Sequence, residues 1–519
     1  MHFNTKKVTH MTTRTTPHPL IASIPIVVLI GLLIIAITLF GSDSLSGGSQ
    51  VALIMAMAVC VLISTVFYHV PWTDFEQQIS KTMGGIFITL LILLSVGMLA
   101  GSWMISGVVP TLIYYGVQLL SPRFFLVTAC IICAIVSLLS GSSWTTIATI
   151  GVALLGIGDA LGVSQAWTAG AIISGAYFGD KMSPLSDTTI LASSSTRVDI
   201  FEHIRYMMHT TVPALIISLI IFTVAGLGHG DGAINIEKYT TGLAASFNIS
   251  AWTLLVPLIT GILIARKTPS LIVLFTSSIL AGIMALILQP HILTQIASTP
   301  SLSHAAALTK GLAITYFGAT AVDTGLPALN DLVSTGGMAG MLNTIWLIIC
   351  AMCFGAAMVA SGMIHSITQV IIRWAKSRTS LVSSTVASGL FLNLTTGDQF
   401  ISIVLTADTF SNAYRQKGFE QRLLSRTTED AATVTSVLVP WNTCGMTQAT
   451  VLGVPTLTYL PYCFFNILCP IMTITIAALG WKIKQLKPTT HNDSTTVELP
   501  EKSAEYVNSN SKCEISQNY

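Results

Sequence analysis

The sequence predicts an all-α polytopic membrane protein, and three observations support this fold class. Of the 519 residues, 52% are hydrophobic and only 9% are charged, whereas a soluble domain carries about 25% charged residues. The mean hydropathy is +0.74. Apolar windows long enough to cross a bilayer, which takes roughly 20 residues, recur from end to end. These windows make the lipid bilayer the expected surroundings. The net charge of +2 gives no indication of a basic surface for nucleic acid.

Fourteen segments are candidate transmembrane or re-entrant helices, and we expect about 11–14 because several are short or polar. The first segment, 20–41, is too long for the apolar core of a signal peptide and is predicted to be retained. The candidates are 20–41, 49–69, 84–106, 124–141, 142–160, 167–190, 206–228, 250–267, 269–288, 340–362, 380–396, 397–413, 428–448 and 456–480.

The distribution of basic residues predicts that both termini are cytoplasmic, because Lys and Arg favour cytoplasmic loops. Predicted outer loops hold only Arg123, Lys238 and Lys310. We expect a cytoplasmic leader over 1–19 and a disordered cytoplasmic tail over 485–519, which is polar and poor in aromatic residues. The predicted inner loops hold Lys81, Arg197, Arg205, Arg266, Lys267, Arg373, Lys376, Arg378, the cluster from Arg415 to Arg426, and the lysines from Lys482 to Lys487.

Two transmembrane repeats, 20–230 and 250–480, are predicted from internal similarity. A shift of 255 positions places 106–144 on 361–399 without a gap, and a polar break follows each copy. The predicted topology puts one copy in the opposite orientation to the other. Inverted repeats with broken helices are the sequence mark of a secondary transporter.

The stretch GDKMSPLSDTTIL, 179–191, carries the most informative polarity of the first repeat. Pro184 lacks an amide hydrogen and predicts a helix break between Asp180 and Asp187. Such a break frees carbonyl and hydroxyl oxygens, which are ligands for a small cation, beside two carboxylates. Lys181 is placed to neutralise either aspartate; the alternative interpretation is an ordinary solvated loop. The stretch has four hydroxyl residues including Thr189, and the candidate ion ligands among them are Ser183, Ser186 and Thr188.

The second repeat supplies counterpart acids. Asp398 and Asp408 flank an apolar core, and Glu429 and Asp430 open the next predicted span. The alternative for Asp398 is a helix N-terminus. The alternative for the Glu–Asp pair is a first helical turn capped by a preceding threonine, where acids favour the helix dipole.

Supporting polar residues in the first repeat are Ser142 and Ser143, at a break predicted by Gly141, and Asp159 at the end of a Ser- and Thr-rich helix. The sequence contains no Walker lysine loop, no His-Glu-x-x-His and no nucleophile elbow. The nine cysteines are predicted to pack as small apolar residues. We therefore expect neither an enzyme nor a cofactor. We expect instead that carboxylates within the membrane bind Na⁺ or H⁺ as transported ions.

Three stretches resemble NhaC-type sodium/proton antiporters of the ion-transporter superfamily: GDKMSPLSDTT (179–189), LNLTTGDQFISIVL (392–405) and NTCGMTQATVLGVPTLTYLPYCFFN (442–466). The resemblance implies a multi-pass protein of the bacterial inner membrane that exchanges Na⁺ for H⁺. It also implies an ion site at Asp180 and Asp187, with Asp398 and the Glu429–Asp430 region as partners, and Na⁺ held by Asp180, Asp187 and Asp398.

The resemblance leaves the substrate open, because the family also includes sodium-linked exchangers of small carboxylates that resemble malate/lactate antiporters. The alternative function is therefore a sodium- or proton-coupled exchanger of small organic acids or amino acids. Lys181 is the only basic residue predicted near the site, which favours a cation-only exchanger over one that binds anions. The sequence leaves open whether the protein forms a homo-oligomer.

Overall fold

The structure, a computed structural model, describes residues 17–40, 47–228, 236–299, 302–325, 329–330 and 333–483. Within these ranges the chain is helical, and its one extended contact is an isolated bridge between Thr320 and Thr335. The all-α fold is confirmed. Most of the predicted leader 1–19 and the whole of the predicted tail 485–519 lie outside the described residues.

In the first half of the described chain, the two longest helices, Trp72–Ile105 and Ile200–Leu227, stand on either side of shorter, interrupted ones. A π-helical turn, Ile147–Gly151, joins α7 to α8. The helices are α1 (Pro19–Ala22), α2 (Ile24–Phe40), α3 (Gly48–Tyr68), α4 (Trp72–Ile105), α5 (Val108–Leu119), α6 (Phe125–Ser140), α7 (Ser143–Thr146), α8 (Val152–Ala160), α9 (Gln165–Met182), α10 (Asp187–Ser195) and α11 (Ile200–Leu227).

The second half begins with a connecting group of helices, α12 to α16, and then repeats the interrupted pattern. A π-helical turn, Glu429–Thr433, extends α21. The helices are α12 (Ile236–Ser246), α13 (Leu255–Ala265), α14 (Ser270–Leu288), α15 (Pro290–Ala297), α16 (His304–Phe317), α17 (Leu342–Ala360), α18 (Met363–Arg373), α19 (Arg378–Thr396), α20 (Gln399–Gln416), α21 (Gln421–Thr428), α22 (Thr443–Leu452), α23 (Thr456–Tyr459) and α24 (Phe464–Leu479).

Polar side chains start many of these helices where the sequence changes from turn to apolar residues. Each accepts a hydrogen bond from an amide of the first helical turn, which satisfies a donor that the helix itself leaves free. The residues that cap in this way include Ser142, Ser186, Asp199, Ser303, Ser377, Asp398 and Asn442.

Eight helices in the described residues are long and apolar enough to cross a membrane, or up to ten if each of two bent pairs is one span. The sequence predicted 11–14 transmembrane or re-entrant helices, and the difference lies in helices that are polar or broken. Buried helices need not be apolar on all sides, because they face protein rather than lipid. The window from Ser143 to Ala160 is 78% buried, against 28% for that from Pro19 to Phe40.

The predicted break in the first repeat is confirmed. Helix α9 ends at Met182 and α10 begins at Asp187, with Pro184 in the interruption. A proline at this position cannot donate the next helical hydrogen bond. The second half has a corresponding interruption over 439–442, between the 3₁₀-helical turn Ser436–Leu438 and α22, and it contains Pro440.

The two halves share local backbone features at nearly constant spacing. Helices α6 and α7 form one hairpin, and α19 and α20 form another; the turn of each contains a glycine with φ of +67°, Gly141 and Gly397. Gly141 packs on Leu185, and Gly397 packs on Trp441. A shift of 256 positions relates both glycines and both of their neighbours. Each hairpin tip therefore rests on the broken helix of its own half.

Segments predicted to be on the cytoplasmic side meet in the structure. The Lys417 ammonium donates to the Lys376 carbonyl at 2.9 Å, and the Tyr206 hydroxyl donates to the Lys482 carbonyl at 3.2 Å. This grouping is compatible with the predicted topology, and the orientation of the termini stays a prediction.

Candidate functional site

Six charged side chains are buried in the part of the chain that the structure describes. A charge at the centre of a bilayer costs on the order of 3 kcal/mol on insertion scales, so each of them needs a compensating environment. All six lie on the broken helices α9 and α21 with its π-helical turn, or at a hairpin tip. They are Asp180, Lys181, Asp398, Arg426, Glu429 and Asp430.

Asp180 lies in the last turn of α9, where it meets the tip of the α6–α7 hairpin. One of its carboxylate oxygens accepts hydrogen bonds from the Ser143 amide at 3.0 Å and the Ser143 hydroxyl at 2.6 Å. Because Ser143 is the first residue of α7, the helix dipole also favours a negative charge here. Ser142, which was predicted as a supporting residue, caps α7 instead of contacting Asp180.

A cavity of about 710 Å³ reaches Asp180. Asp187 lines the same cavity, but it is exposed as the first residue of α10. Gln399 and Phe400 reach it from the second half, so both halves of the chain contribute to the walls. Lys267 lies at the wall formed by the α13–α14 connection. The hydroxyl groups that line it are those of Thr89, Ser140, Ser142, Thr145, Ser186, Thr188, Thr268 and Ser270.

A short chain of hydroxyl groups leads from the cavity wall to Glu429. The Ser186 hydroxyl, which caps α10, lies 2.9 Å from the Thr188 hydroxyl. Thr188 in turn donates to one Glu429 carboxylate oxygen at 3.2 Å. The other carboxylate oxygen is buried and has no hydrogen-bond partner among the described residues. The first break therefore contacts the acidic segment of the second half directly.

Lys181 does not neutralise Asp180 or Asp187, as the sequence suggested, but forms a buried ion pair with Asp430. Its ammonium also lies 2.9 Å from the Cys469 sulfur. The second Asp430 oxygen accepts a hydrogen bond from the Thr473 hydroxyl on α24. The adjacent residues Asp180 and Lys181 therefore contact different partners. The Lys181–Asp430 pair joins the first half of the chain to the second.

Arg426 corrects a second expectation, that Lys181 is the only basic residue near the site. It is fully buried one helical turn before Asp430, and its Nε lies 4.0 Å from an Asp430 oxygen. Its guanidinium carbon lies 4.7 Å from the centre of the Tyr206 ring. In the sequence, Arg426 ends a run of basic residues that is typical of a cytoplasmic loop, and the signal for a buried position is its i,i+4 spacing to Asp430.

Glu429 and Asp430 do not occupy a first helical turn. Helix α21 begins eight residues before Glu429, at Gln421, and Glu420 is its N-cap residue. The alternative interpretation of a capped N-terminus at this pair is therefore wrong. Both acids are instead fully buried in a π-helical turn, a feature that often occurs at functional sites.

Asp398 matches its alternative interpretation, a helix N-terminus. It caps α20, accepting from the Ile401 amide at 2.9 Å and from the Thr443 hydroxyl at 3.3 Å. It does not line the cavity, so the structure separates it from Asp180 and Asp187. The described residues contain no cluster of three or more His, Cys, Asp or Glu side chains suited to a metal ion.

Three further candidates lie away from the cavity or serve local structure. Asp408 is exposed on α20. Asp159 accepts a hydrogen bond from Gln165 at 3.1 Å near the end of α8. The Ser183 hydroxyl accepts from the Leu185 amide at 3.3 Å and supports the turn around Pro184.

Comparison with known proteins adds a family and several relatives. The model of a family described as the Na+/H+ antiporter family matches residues 3–190 and 175–481. The chain is 38% identical to the Na(+)/H(+) antiporter NhaC of Alkalihalophilus pseudofirmus over 82% of this chain and 89% of that protein. It is 34% identical to the malate-2H(+)/Na(+)-lactate antiporter of Bacillus subtilis, covering 80% and 86%. It is also 34% identical to the arginine/ornithine antiporter ArcD of Halobacterium salinarum, covering 93% and 95%.

Proposed function

This chain belongs to the Na⁺/H⁺ antiporter family, and on that premise we propose that it exchanges Na⁺ for H⁺ across a bacterial plasma membrane, with Asp180 as the carboxylate that binds the two ions in turn. The observation that carries this proposal is the position of Asp180. It is a buried carboxylate at a helix break, it accepts two hydrogen bonds from Ser143, and it faces a cavity whose wall includes several hydroxyl groups.

Competition for one carboxylate is sufficient for coupled exchange. With Na⁺ bound, hydroxyl and carbonyl oxygens beside the break complete the coordination that the carboxylate begins. With a proton bound, the carboxyl is neutral and needs no further oxygen. The empty, charged site is costly to move through a low-dielectric interior, so the protein changes conformation only when Asp180 carries one of the two ions.

The cavity defines the side from which ions reach the site in this conformation. Its wall includes Lys267 from the α13–α14 connection, which the distribution of basic residues places on the cytoplasmic side. The proposal therefore takes this structure as the inward-open state. Movement of one repeat against the other would then open the site to the opposite side, as in other transporters with inverted repeats.

The proposal is tested in everted membrane vesicles from a host that lacks its own antiporters. A pH gradient is established and then challenged with Na⁺, Li⁺ or K⁺, each alone. We expect Na⁺ to dissipate the gradient with the wild-type protein but not with Asp180→Asn. Asp408→Asn is the matched control, because it also removes a carboxylate but lies on an exposed face outside the cavity. Equal activity of Asp180→Asn and wild type would contradict the proposal.

A second candidate function is sodium- or proton-coupled exchange of a small organic acid or amino acid, and the size of the cavity favours it. About 710 Å³ is far more than one dehydrated cation occupies, and it falls in the range of small-molecule sites, about 300–1,000 Å³. The names of two relatives, which refer to malate, lactate, arginine and ornithine, agree with this alternative. In the vesicle assay it predicts that Na⁺ has no effect until an organic substrate is added.

A further inference from the structure

Among the buried charges that the structure describes, Arg426 has the largest number of side-chain polar atoms without a hydrogen-bond partner. Its side chain is completely buried, and none of its three guanidinium nitrogens has a hydrogen-bond partner among the described residues. The contacts that it makes are the ion pair with Asp430 at 4.0 Å and the stacking on Tyr206 at 4.7 Å. A guanidinium has five N–H donors, so most of its hydrogen-bonding capacity is unused.

Burying a guanidinium with so few partners costs free energy, so the arrangement needs a physical explanation. A buried cation is tolerated when a carboxylate pairs with it at close range and completes its hydrogen bonds. Arg422, one helical turn earlier, shows the ordinary solution: it is partly exposed and forms ion pairs with Glu202 and Glu420. The carboxylate beside Arg426 is that of Asp430, and it is already paired with Lys181.

Asp430 is positioned between two cations that belong to different halves of the chain. One of its oxygens contacts Lys181 on α9, and the other contacts Thr473 on α24 and lies 4.0 Å from the Arg426 Nε. Arg426 and Asp430 are four residues apart on one continuous helical segment, a spacing that brings two side chains together. A shift of about 1 Å would bring the Arg426–Asp430 separation into the range of a charge-assisted hydrogen bond.

We infer that Arg426 is the alternate partner of Asp430: the carboxylate pairs with Lys181 in the conformation seen here and with Arg426 when the two halves of the protein move apart at α9. The exchange keeps Asp430 neutralised in both conformations, so the carboxylate is never buried alone. It replaces a contact between the halves with one inside the second half. Lys181 then becomes free for the neighbouring acids of the site, of which Glu429 has an unpartnered oxygen.

The inference identifies Arg426 as a positioning residue for the transport cycle, and it rests on the proposed function for the meaning of that cycle. It predicts a population shift that is independent of which substrate is carried. Without Arg426, the conformation with the Lys181–Asp430 pair loses its competitor and gains population. Without Lys181, the opposite conformation gains population, because Arg426 alone remains to pair with Asp430.

The experiment measures both accessibility and transport with the full-length protein in everted vesicles. A cysteine is introduced as Thr89→Cys, in the cavity wall on α4, and its labelling by a membrane-impermeant maleimide is followed over time. The protein without this change gives the background from the native cysteines. We expect Arg426→Gln to increase the labelling rate and to slow exchange at saturating substrate about tenfold, within the range typical of coupling between sites. The substrate concentration at half-maximal rate should change little.

Arg422→Gln is the matched control, since it removes the same charge one turn away on the same helix and is expected to leave labelling unchanged. Arg426→Lys should restore part of the exchange rate. Unchanged labelling in Arg426→Gln, with or without loss of transport, would overturn the inference. If Arg426→Gln does not accumulate in the membrane, Lys181→Gln decides: slower labelling supports the exchange of partners, and faster or unchanged labelling overturns it. A protein that shows these labelling shifts but no Na⁺-driven proton movement retains the inference and loses the proposed function.

Discussion

The two helix breaks have the same backbone plan but different chemistry. A shift of 256 positions relates Pro184 in the first break to Pro440 in the second, and the capping residue Ser186 to Asn442. In each half, the glycine of a hairpin tip packs on the residue that follows the proline. The fold therefore builds the same interruption twice.

The same shift shows where the breaks differ. Asp180 in the first half corresponds to Ser436 in the second, and Ser143 corresponds to Gln399. The contact between each pair is present in both halves: Ser143 donates to Asp180 at 2.6 Å, and Ser436 donates to Gln399 at 3.4 Å. The first pair contains a carboxylate and the second is neutral. Under the proposed function, the first break would bind the ion through Asp180, and the neutral second break would serve as a scaffold. The buried acids of the second half, Glu429 and Asp430, lie in the helical segment before its break.

The largest expected effect comes from making the first break resemble the second. Asp180→Ser should reduce Na⁺-driven proton exchange by more than about 100-fold, because Asp180 is the only buried carboxylate that the described residues contribute to the cavity wall. Changes to residues that support a site from outside cost about 10–100-fold. Ser436→Ala, at the corresponding position, should retain exchange within a few-fold. Both rates are measured in everted vesicles at equal protein levels. Similar losses in the two variants would refute the asymmetry between the breaks.

The next effect concerns the ion pair that joins the halves. Lys181→Gln leaves Asp430 without its close cationic partner, and breaking a buried pair costs about 3–5 kcal/mol. We expect a marked fall in the thermal unfolding temperature of the purified protein in detergent. The double variant Lys181→Gln with Asp430→Asn should recover part of this loss, since it removes both members of the pair but leaves Arg426 buried without its carboxylate. No recovery in the double variant would show that the pair is not coupled in this way.

A smaller effect is expected at the hairpin tips. Gly141 and Gly397 both have φ of +67°, so alanine at either position costs about 1–2 kcal/mol in backbone conformation. A Cβ on Gly141 would also lie 2.8 Å from the Leu185 carbonyl carbon, whereas one on Gly397 would meet its nearest atoms at 3.3 Å or more. Gly141→Ala should therefore destabilise the protein more than Gly397→Ala. Thermal unfolding of the two variants side by side checks the order, and the reverse order would contradict the packing argument.

The smallest effect is expected at Asp187. It lines the cavity but is exposed, so its charge is screened by water. Asp187→Asn should weaken the apparent affinity for Na⁺ by about two- to fivefold, in line with the small energies of exposed charge pairs. The measurement is the Na⁺ concentration at half-maximal exchange. Complete loss of exchange would assign Asp187 to the ion site itself.

Sequence reasoning reached the fold and the first break because both depend on local signals. Hydrophobic windows identify membrane helices, and Pro184 between two aspartates predicts the interruption that α9 and α10 show. Five of the six charged residues that are buried in the described structure were also predicted from the sequence as site residues, because each lies close to an apolar stretch. Arg426 was missed because a run of basic residues resembles a cytoplasmic loop until α21 is seen to continue inward.

Pairing was the part that sequence could not supply. Lys181 and Asp430 are 249 positions apart, and their contact depends on how α9 packs against α21 and α24. Asp398 illustrates the opposite problem, since a capping aspartate and an ion ligand at a helix break have the same local sequence context. Only the three-dimensional arrangement shows that its oxygens are occupied by Ile401 and Thr443.

The central claim is that Na⁺ and H⁺ compete for Asp180, and proton release from the purified protein tests it most directly. The protein is held in weakly buffered detergent with a pH indicator, and NaCl is added, with choline chloride as the salt control. We expect wild type to release protons on addition of Na⁺ and Asp180→Asn to release none, while Asp408→Asn behaves as wild type. Undiminished release from Asp180→Asn would contradict the account and place the exchange at another carboxylate.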